Sequence, residues 1–134
     1  MNCSKLSEII LPSTIISIND ACFSNCRALT SIDLDNVTTL GMSCFQNCAA
    51  LTSINLDNVT TLGSSCFQNC TALTSVNLDN VTTMGDNAFN NDINLTTVTL
   101  NNSLSTLKYA CFASCLNLTS INLDNITTIG NNCF

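Results

Sequence analysis

Read from Leu51, the stretch LTSINLDNVTTLGSSCFQNCTA sets apolar side chains at Leu51, Ile54, Leu56, Val59, Leu62, Cys66, Phe67 and Cys70 and fills the places between with polar ones. The pattern returns along the whole chain. Phenylalanines fall at 23, 45, 67, 89, 112 and 134, in steps of 22, 22, 22, 23 and 22, and leucines at 6, 29, 51, 73, 95 and 118 keep the same beat. Two kinds of element follow from the spacing. The SINL stretch alternates apolar and polar, as a half-buried strand does. The β-branched VTTLG stretch predicts a second extended segment, after which Gly41, Gly63, Gly85 and Gly130 are expected to turn the chain. SSCFQNC is too short for a stable helix. It reads as a single helical or 3₁₀ turn that drives the phenylalanine inward. Units 6–28 and 95–117 carry one extra residue just after the strand, where a turn absorbs it.

A 22-residue unit cannot bury its apolar face alone, so copies must stack, and the fold class is a repeat solenoid. The units run 6–28, 29–50, 51–72, 73–94, 95–117 and 118–134, the last completed by residues 1–5 of a neighbouring copy, so that 1–134 is one solenoid domain. Stacking turns the SINL strands into a parallel β-sheet on one face, with short extended or 3₁₀ segments on the other.

The recurring pattern L-x-x-I-x-L-(P/D)-x-x-(V/I)-x-x-(I/L)-G-x-x-(A/C)-F-x-x-C resembles the BspA-like, Treponema-type leucine-rich repeat over essentially the whole chain. The proline that follows the strand in that pattern survives only as Pro12; Asp or Asn replaces it elsewhere. The resemblance implies a right-handed leucine-rich-repeat coil of six units. It also implies an extracellular or cell-surface location, on bacteria or parasitic protists, with a role in adhesion to host or cell-surface proteins.

Composition narrows the function classes. Only 9% of residues are charged, against roughly 25% in typical soluble domains. The net charge is −6, and the only cations are Lys5, Arg27 and Lys108. Nucleic acid is therefore not an expected partner, because a phosphate-binding surface needs clustered Lys and Arg. No apolar run approaches the roughly 20 residues of a membrane-spanning helix, so no membrane insertion is expected. Histidine is absent, which removes the usual general base and the commonest metal ligand. Serines abound without a base to activate one, and no Gly-rich phosphate loop is present. The reading is a non-enzyme, with no catalytic residues, no cofactor and no metal.

Ten cysteines occupy two columns of the repeat: Cys22, Cys44, Cys66, Cys111 and Cys133 in one, and Cys3, Cys26, Cys48, Cys70 and Cys115 in the other. The fourth unit interrupts both, with Ala88 and Asp92. Alanine is the usual residue of the resembled family at the first column, which suits a small buried side chain. The favoured reading is two ladders of free buried thiols, since free Cys behaves as a small hydrophobe. Disulfides between stacked neighbours remain an alternative. Metal binding is a weaker one, since this spacing lacks a closed four-ligand set. Asp92 in a cysteine position suggests that the second column lies near the surface.

Polar positions stack as well. Asp35, Asp57, Asp79 and Asp124, with Asn101 in the fifth unit, run beside Asn36, Asn58, Asn80 and Asn125. Asx turns bonding their own backbone are favoured over a calcium-binding edge. The strand face offers a lane of Ser31, Ser53, Ser75, Thr97 and Ser120, and a second of Asp33, Asn55, Asn77, Thr99 and Asn122. Without aromatic platforms it gives weak support to carbohydrate recognition. Paired threonines (38–39, 60–61, 82–83, 127–128) suggest an ice-binding array as a third reading, although Thr is also a good strand former. Nine N-x-(S/T) sequons occur, at Asn2, Asn36, Asn58, Asn69, Asn80, Asn94, Asn101, Asn117 and Asn125. They acquire meaning only in a eukaryotic secretory pathway.

The two ends of the sequence complement each other. Asn131-Asn132-Cys133-Phe134 followed by Met1-Asn2-Cys3-Ser4-Lys5-Leu6 rebuilds the motif seen at 44–51. Neither end carries the polar cap typical of solenoids. The expected assembly interface is Met1, Asn2, Cys3, Leu6, Ile9, Leu11 and Ile15 on one face, and Ile121, Leu123, Ile126, Ile129, Cys133 and Phe134 on the other. Faces complementary to each other rather than to themselves make heterologous contacts, which give filaments when they do not close. About 400 Å² per face yields on the order of 10 kcal/mol gross, much of it offset by association entropy. The expected function is a structural protein polymerising head to tail, with the chain itself as partner. An adhesion or interaction module cut from a larger surface protein is the rival.

Overall fold

The computed structural model describes residues 3–100 and 103–134. The chain winds into a parallel-strand solenoid, and no helix occurs among the described residues. Among the described residues nine short strands appear in chain order: β1 Ser17–Ile18, β2 Thr39–Leu40, β3 Thr61–Leu62, β4 Ser75–Leu78, β5 Thr83–Met84, β6 Thr97–Leu100, β7 Thr106–Leu107, β8 Ser120–Ile121 and β9 Thr128–Ile129.

The predicted second extended segment supplies most of them. β1, β2, β3 and β5 form one parallel sheet, with Thr39 opposite Thr61 and Leu40 opposite Leu62. β7 and β9 continue the same motif as a separate pair. The SINL segment gives the sheet β4-β6-β8, in which Val76 faces Val98 and Val98 faces Ile121. This strand face is uneven. Residues 31–34 keep the expected exposed–buried alternation without forming a regular strand. There the Thr52 N–H reaches the Thr30 carbonyl at 3.4 Å, whereas Thr96 N–H meets Thr74 at 2.8 Å.

The core is a set of columns, one residue per coil. Phe23, Phe45, Phe67, Phe89, Phe112 and Phe134 stack with ring centroids 5.3 to 6.1 Å apart and interplanar angles of 2° to 21°. Leucine columns at 29, 51, 73 and 95 and at 40, 62 and 107 are fully or almost fully buried beside them. Burying each leucine contributes about 1.5–3 kcal/mol.

The segment around each phenylalanine forms a corner. As expected, it has the i→i−3 hydrogen bonds of one 3₁₀ turn: Gln46 N–H to Ser43 and Cys48 N–H to Phe45, at 3.2 and 3.1 Å. It does not extend into a helix, because left-handed residues flank it. Ser43 and Asn47 have φ of 53° and 61°, and equivalents recur from Ala21 to Asn132. The reversal frees alternate N–H groups to reach the next coil. Ser43, Phe45 and Asn47 donate to the carbonyls of Ser64, Cys66 and Gln68, each at 2.8 Å.

The glycines do a different job from the one expected. None has positive φ. A Cβ on Gly63 would lie 2.5 Å from the backbone of Gly41 and Met42, and one on Gly85 would lie 2.3 Å from the Ser64 nitrogen. Glycine is there to let backbones of adjacent coils touch; the turning is done by left-handed Ser, Ala and Asn.

Candidate functional site: the corner columns, the strand face and the end coils

All ten cysteines are free thiols. In the first column Cys44, Cys66, Cys111 and Cys133 are buried and Cys22 is exposed. In the second, Cys26, Cys48 and Cys70 are buried, Cys115 is partly covered and Cys3 is exposed. The second-column thiols have a defined partner. Cys48, Cys70 and Cys115 donate to the carbonyls of Phe23, Phe45 and Phe89 in the preceding coil, at 3.2, 3.2 and 3.1 Å. Burial pushes Cys48 and Cys115 up to about 12, and raises Cys26, Cys44, Cys66 and Cys70 as well. These thiols stay protonated at neutral pH and act as small donors inside an apolar core.

Asp92 corrects one expectation. Its place in the second column is interior, and its carboxyl is fully buried. The column therefore does not run near the surface. Oδ1 accepts the Cys70 N–H at 2.8 Å, while Oδ2 is buried without a partner. Burial pushes the carboxyl up to about 8, opposed only by that N–H bond. A protonated carboxyl has a hydroxyl to donate, which is the role thiols play at the same position in other coils. At neutral pH Asp92 is a neutral stand-in for cysteine.

The corner also holds a ladder that sequence reasoning missed. Asn47 Nδ2 donates to Asn25 Oδ1, Asn69 to Asn47 and Asn91 to Asn69, at 3.2, 2.9 and 2.7 Å. Each asparagine has positive φ, from 61° to 63°. Asparagine tolerates that conformation better than other residues with a side chain. The available signal was the Asn directly before the second-column residue in four units: Asn25, Asn47 and Asn69 before a cysteine, and Asn91 before Asp92.

On the strand face, Ser31, Ser53, Ser75, Thr97 and Ser120 are exposed, as are Asp33, Asn55, Asn77, Thr99 and Asn122. The Asp column sits in turns as expected, but the side chain that closes each turn belongs to the residue two places earlier, not to the Asp itself. Oδ1 of Asp33, Asn55, Asn77 and Asn122 accepts the N–H of Asp35, Asp57, Asp79 and Asp124 at 2.8 to 3.0 Å. Asn58 and Asn80 tie coils together by donating to the carbonyls of Asp35 and Asp57. No group of three or more His, Cys, Asp or Glu that could hold a metal occurs among the described residues. Asn101 lies outside them. Of each threonine pair, the first is bound to the coil before: Thr38, Thr60 and Thr82 hydroxyls donate to the carbonyls of Ile16, Thr38 and Thr60 at 3.2 Å.

The residues expected at the assembly faces lie at opposite ends of the stack. Leu6, Ile9, Leu11 and Ile15 pack partly buried on the first coil; Ile121, Leu123 and Ile126 do so on the last. Cys3 is exposed, Cys133 is buried, and Ile129 and Phe134 are 51% and 55% exposed. Met1 and Asn2 lie outside the described residues. Phe112, Cys115, Leu116, Leu118 and Phe134 line an open groove of about 190 Å³ at the last coil.

Comparison with known proteins agrees with this architecture. The profile described as BspA type leucine rich repeat region (6 copies) matches residues 1–92 and 63–134. No curated protein matches in sequence. Among solved structures, a leucine-rich repeat protein from Eubacterium ventriosum is similar over 96% of this chain and 36% of its own, with 29% identity and a TM-score of 0.83. One from Bacteroides ovatus is similar over 90% and 38%, with 27% identity and a TM-score of 0.72. A leucine rich cell surface protein from Faecalibacterium prausnitzii is similar over 90% and 40%, with 27% identity and a TM-score of 0.61. The chain thus spans well under half the length of these three relatives. Its repeat, stacked corners and parallel strands place it in the BspA-type leucine-rich repeat family.

Proposed function

We propose that this chain is a non-enzymatic structural and interaction module of the cell surface or extracellular space, whose end coils add head to tail to further coils of the same repeat and so build a solenoid filament. The carrying observation is the direction of the corner hydrogen bonds. In every coil the corner N–H groups donate forward and the carbonyls of the following coil accept. In that register the N–H groups of Asn132 and Phe134 point onward from the last coil, and the carbonyls of Asp20 and Cys22 point back from the first. A donor row meets an acceptor row only when unlike ends approach, so the contact is polar and heterologous. The groove beside Phe134 is where the motif would continue, and Met1-Asn2-Cys3-Ser4-Lys5-Leu6 has the matching sequence. Partners are a second copy at the ends and, along the exposed hydroxyl and amide lanes of the strand face, host or cell-surface proteins. The cell-surface reading also draws on the F. prausnitzii relative.

Electron microscopy and sedimentation of the purified 134-residue chain test this. The expected result is fibres of uniform width that disappear in Phe134→Asp, with unchanged circular dichroism. A chain that stays monomeric at millimolar concentration overturns the filament and leaves the interaction module, which pull-down through the strand face then tests.

A further inference from the structure

Along the second extended segment, each coil is bonded to the one before it by a fixed set of contacts. Thr38, Thr60 and Thr82 N–H groups donate to the Ile16, Thr38 and Thr60 carbonyls at 2.9 Å, and Gly41, Gly63 and Gly85 donate to Ile18, Leu40 and Leu62 at 2.8 to 2.9 Å. Thr127 and Gly130 do the same to Ser105 and Leu107, at 2.8 and 2.7 Å. Among the described residues, the step from the fourth coil to the fifth has no such set. Ser105 and Lys108, the counterparts there, make no backbone bond to Thr82 or Met84, and β5 and β7 are not paired. The threonine hydroxyls skip the same step: Thr38, Thr60 and Thr82 bond the coil before, and the ladder resumes only with Thr127 on Ser105. Residue 108 explains the gap. Its counterparts are the glycines 41, 63, 85 and 130, and a Cβ on any of them would come within 2.7 Å of the coil before, closer than real Cβ atoms approach. Lys108 has a Cβ, so the fifth coil stands off from the fourth on this face. An extra residue after the strand does not by itself open the face. Units 6–28 and 95–117 both carry one, and both are bonded to the coil that follows. The other sides of the step are closed. Ser75–Leu78 pairs with Thr97–Leu100 over four residues, against two in every other pairing. At the corner, Asn87, Phe89 and Asn91 N–H groups donate to Tyr109, Cys111 and Ala113 at 2.8 to 2.9 Å, and Phe89 and Phe112 stack at 5.6 Å.

We propose that the step between the fourth and fifth coils is a bending joint, at which the last two coils (95–134) tilt against the first four about the strand face and the corner, while the face carrying Lys108 opens and closes. A repeat stack is held by nearest-neighbour interfaces, so weakening one side of one interface confines motion to that place. The side that opens lacks the exchange-resistant backbone bonds of its neighbours, which puts it at the low end of local stability. The side that stays shut has the longest strand pairing in the molecule and the continuous ring stack, so the two parts tilt without separating. Hinges of this kind need only a few residues to absorb the movement. The joint lies within one chain and is independent of head-to-tail assembly.

Residue-resolved amide hydrogen exchange on the full chain tests this. The Ser105 and Lys108 N–H groups are expected to be about tenfold less protected than those of Thr82 and Gly85 before the joint and of Thr127 and Gly130 after it. Recovery at Thr127 and Gly130 separates a joint from fraying of the chain end, in which protection falls steadily toward Phe134. Lys108→Gly is expected to bring both groups to the level of the other coils, and Lys108→Ala, which keeps the Cβ, to leave them weakly protected. Spin labels on unnatural side chains replacing Thr61 and Thr128 should give a broad distance distribution that narrows in Lys108→Gly. Labels replacing Ser17 and Thr83, within the first four coils, should give a narrow one throughout. Ser105 and Lys108 amides as protected as Thr127 and Gly130, a steady decline to the C-terminus, or equally narrow distributions for the two label pairs would each overturn the joint. A closed face in Lys108→Ala would overturn the part assigned to the lysine Cβ.

Discussion

The corner and the strand face are built from the same 22-residue beat and are ordered very differently. At the corner every coil repeats the same contacts: ring on ring, N–H on carbonyl, and in most coils thiol on carbonyl or amide on amide. On the strand face, regular strands appear only in β4, β6 and β8, while residues 31–34 keep burial alternation without a ladder. Periodicity alone therefore does not decide where a solenoid is held together. Side chains that satisfy one another from coil to coil do, and these concentrate at the corner.

The largest test of the corner is pH. Asp92 has a folded value of about 8 against 3.8 in the free side chain. A raised carboxyl favours the protonated folded state, so the favourable share is complete below about pH 4 and is lost as pH rises through 8. The loss is on the order of 5 kcal/mol at about 1.4 kcal/mol per unit. Urea midpoints measured from pH 4 to 8 are expected to fall, and Asp92→Cys is expected to flatten the slope and raise stability at pH 8. A flat wild-type profile would mean that the carboxyl reaches solvent.

Next in size is the ring stack. Phe67→Ala leaves a cavity between Phe45 and Phe89 and should cost about 3–5 kcal/mol by thermal or urea unfolding. Smaller is the amide ladder. Asn69→Ala removes two ladder bonds and strains a residue at φ 63°, for a loss of about 1–2 kcal/mol. Asn69→Gly should recover the strain part and leave only the lost hydrogen bonds. Smallest is the opposite face, where Ser53→Ala should stay within about 0.5 kcal/mol. A cost for Ser53→Ala matching that of Asn69→Ala would erase the contrast between the two regions.

The apolar columns were legible in the sequence because period and burial are coupled: a side chain at each 22-residue step must meet its own copy. Phe45, Phe67 and Phe89, Leu51 and Leu73, and the buried thiols all follow from that. The extended Thr39–Leu40 and Thr61–Leu62 segments followed from β-branching. The role of Gly63 was not legible, since glycine marks either a left-handed turn or a close approach, and only the contact with Gly41 and Met42 decides between them. The left-handed Ser43 and Ser65 gave no warning, because serine rarely takes that conformation and here the forward hydrogen bonds impose it. Asp92 misled for a sound reason: a carboxylate avoids burial, and its side chain is interior because a protonated carboxyl fills a thiol's place.

The forward donation at the corner has an electrical side. In the first four coils three corner peptide groups point their N–H ends toward the C-terminal coil, and the Gln46–Gln68–Asn90 amides point the same way, while the Asn25 to Asn91 amide ladder and the glycine N–H groups before the corners point back. Each peptide contributes a dipole of about 3.5 D, so the corner adds up to a polarised edge with its positive pole at the C-terminal tip, the reverse of an α-helix. Anions should gather at that tip and cations at the other, and each further coil lengthens the dipole.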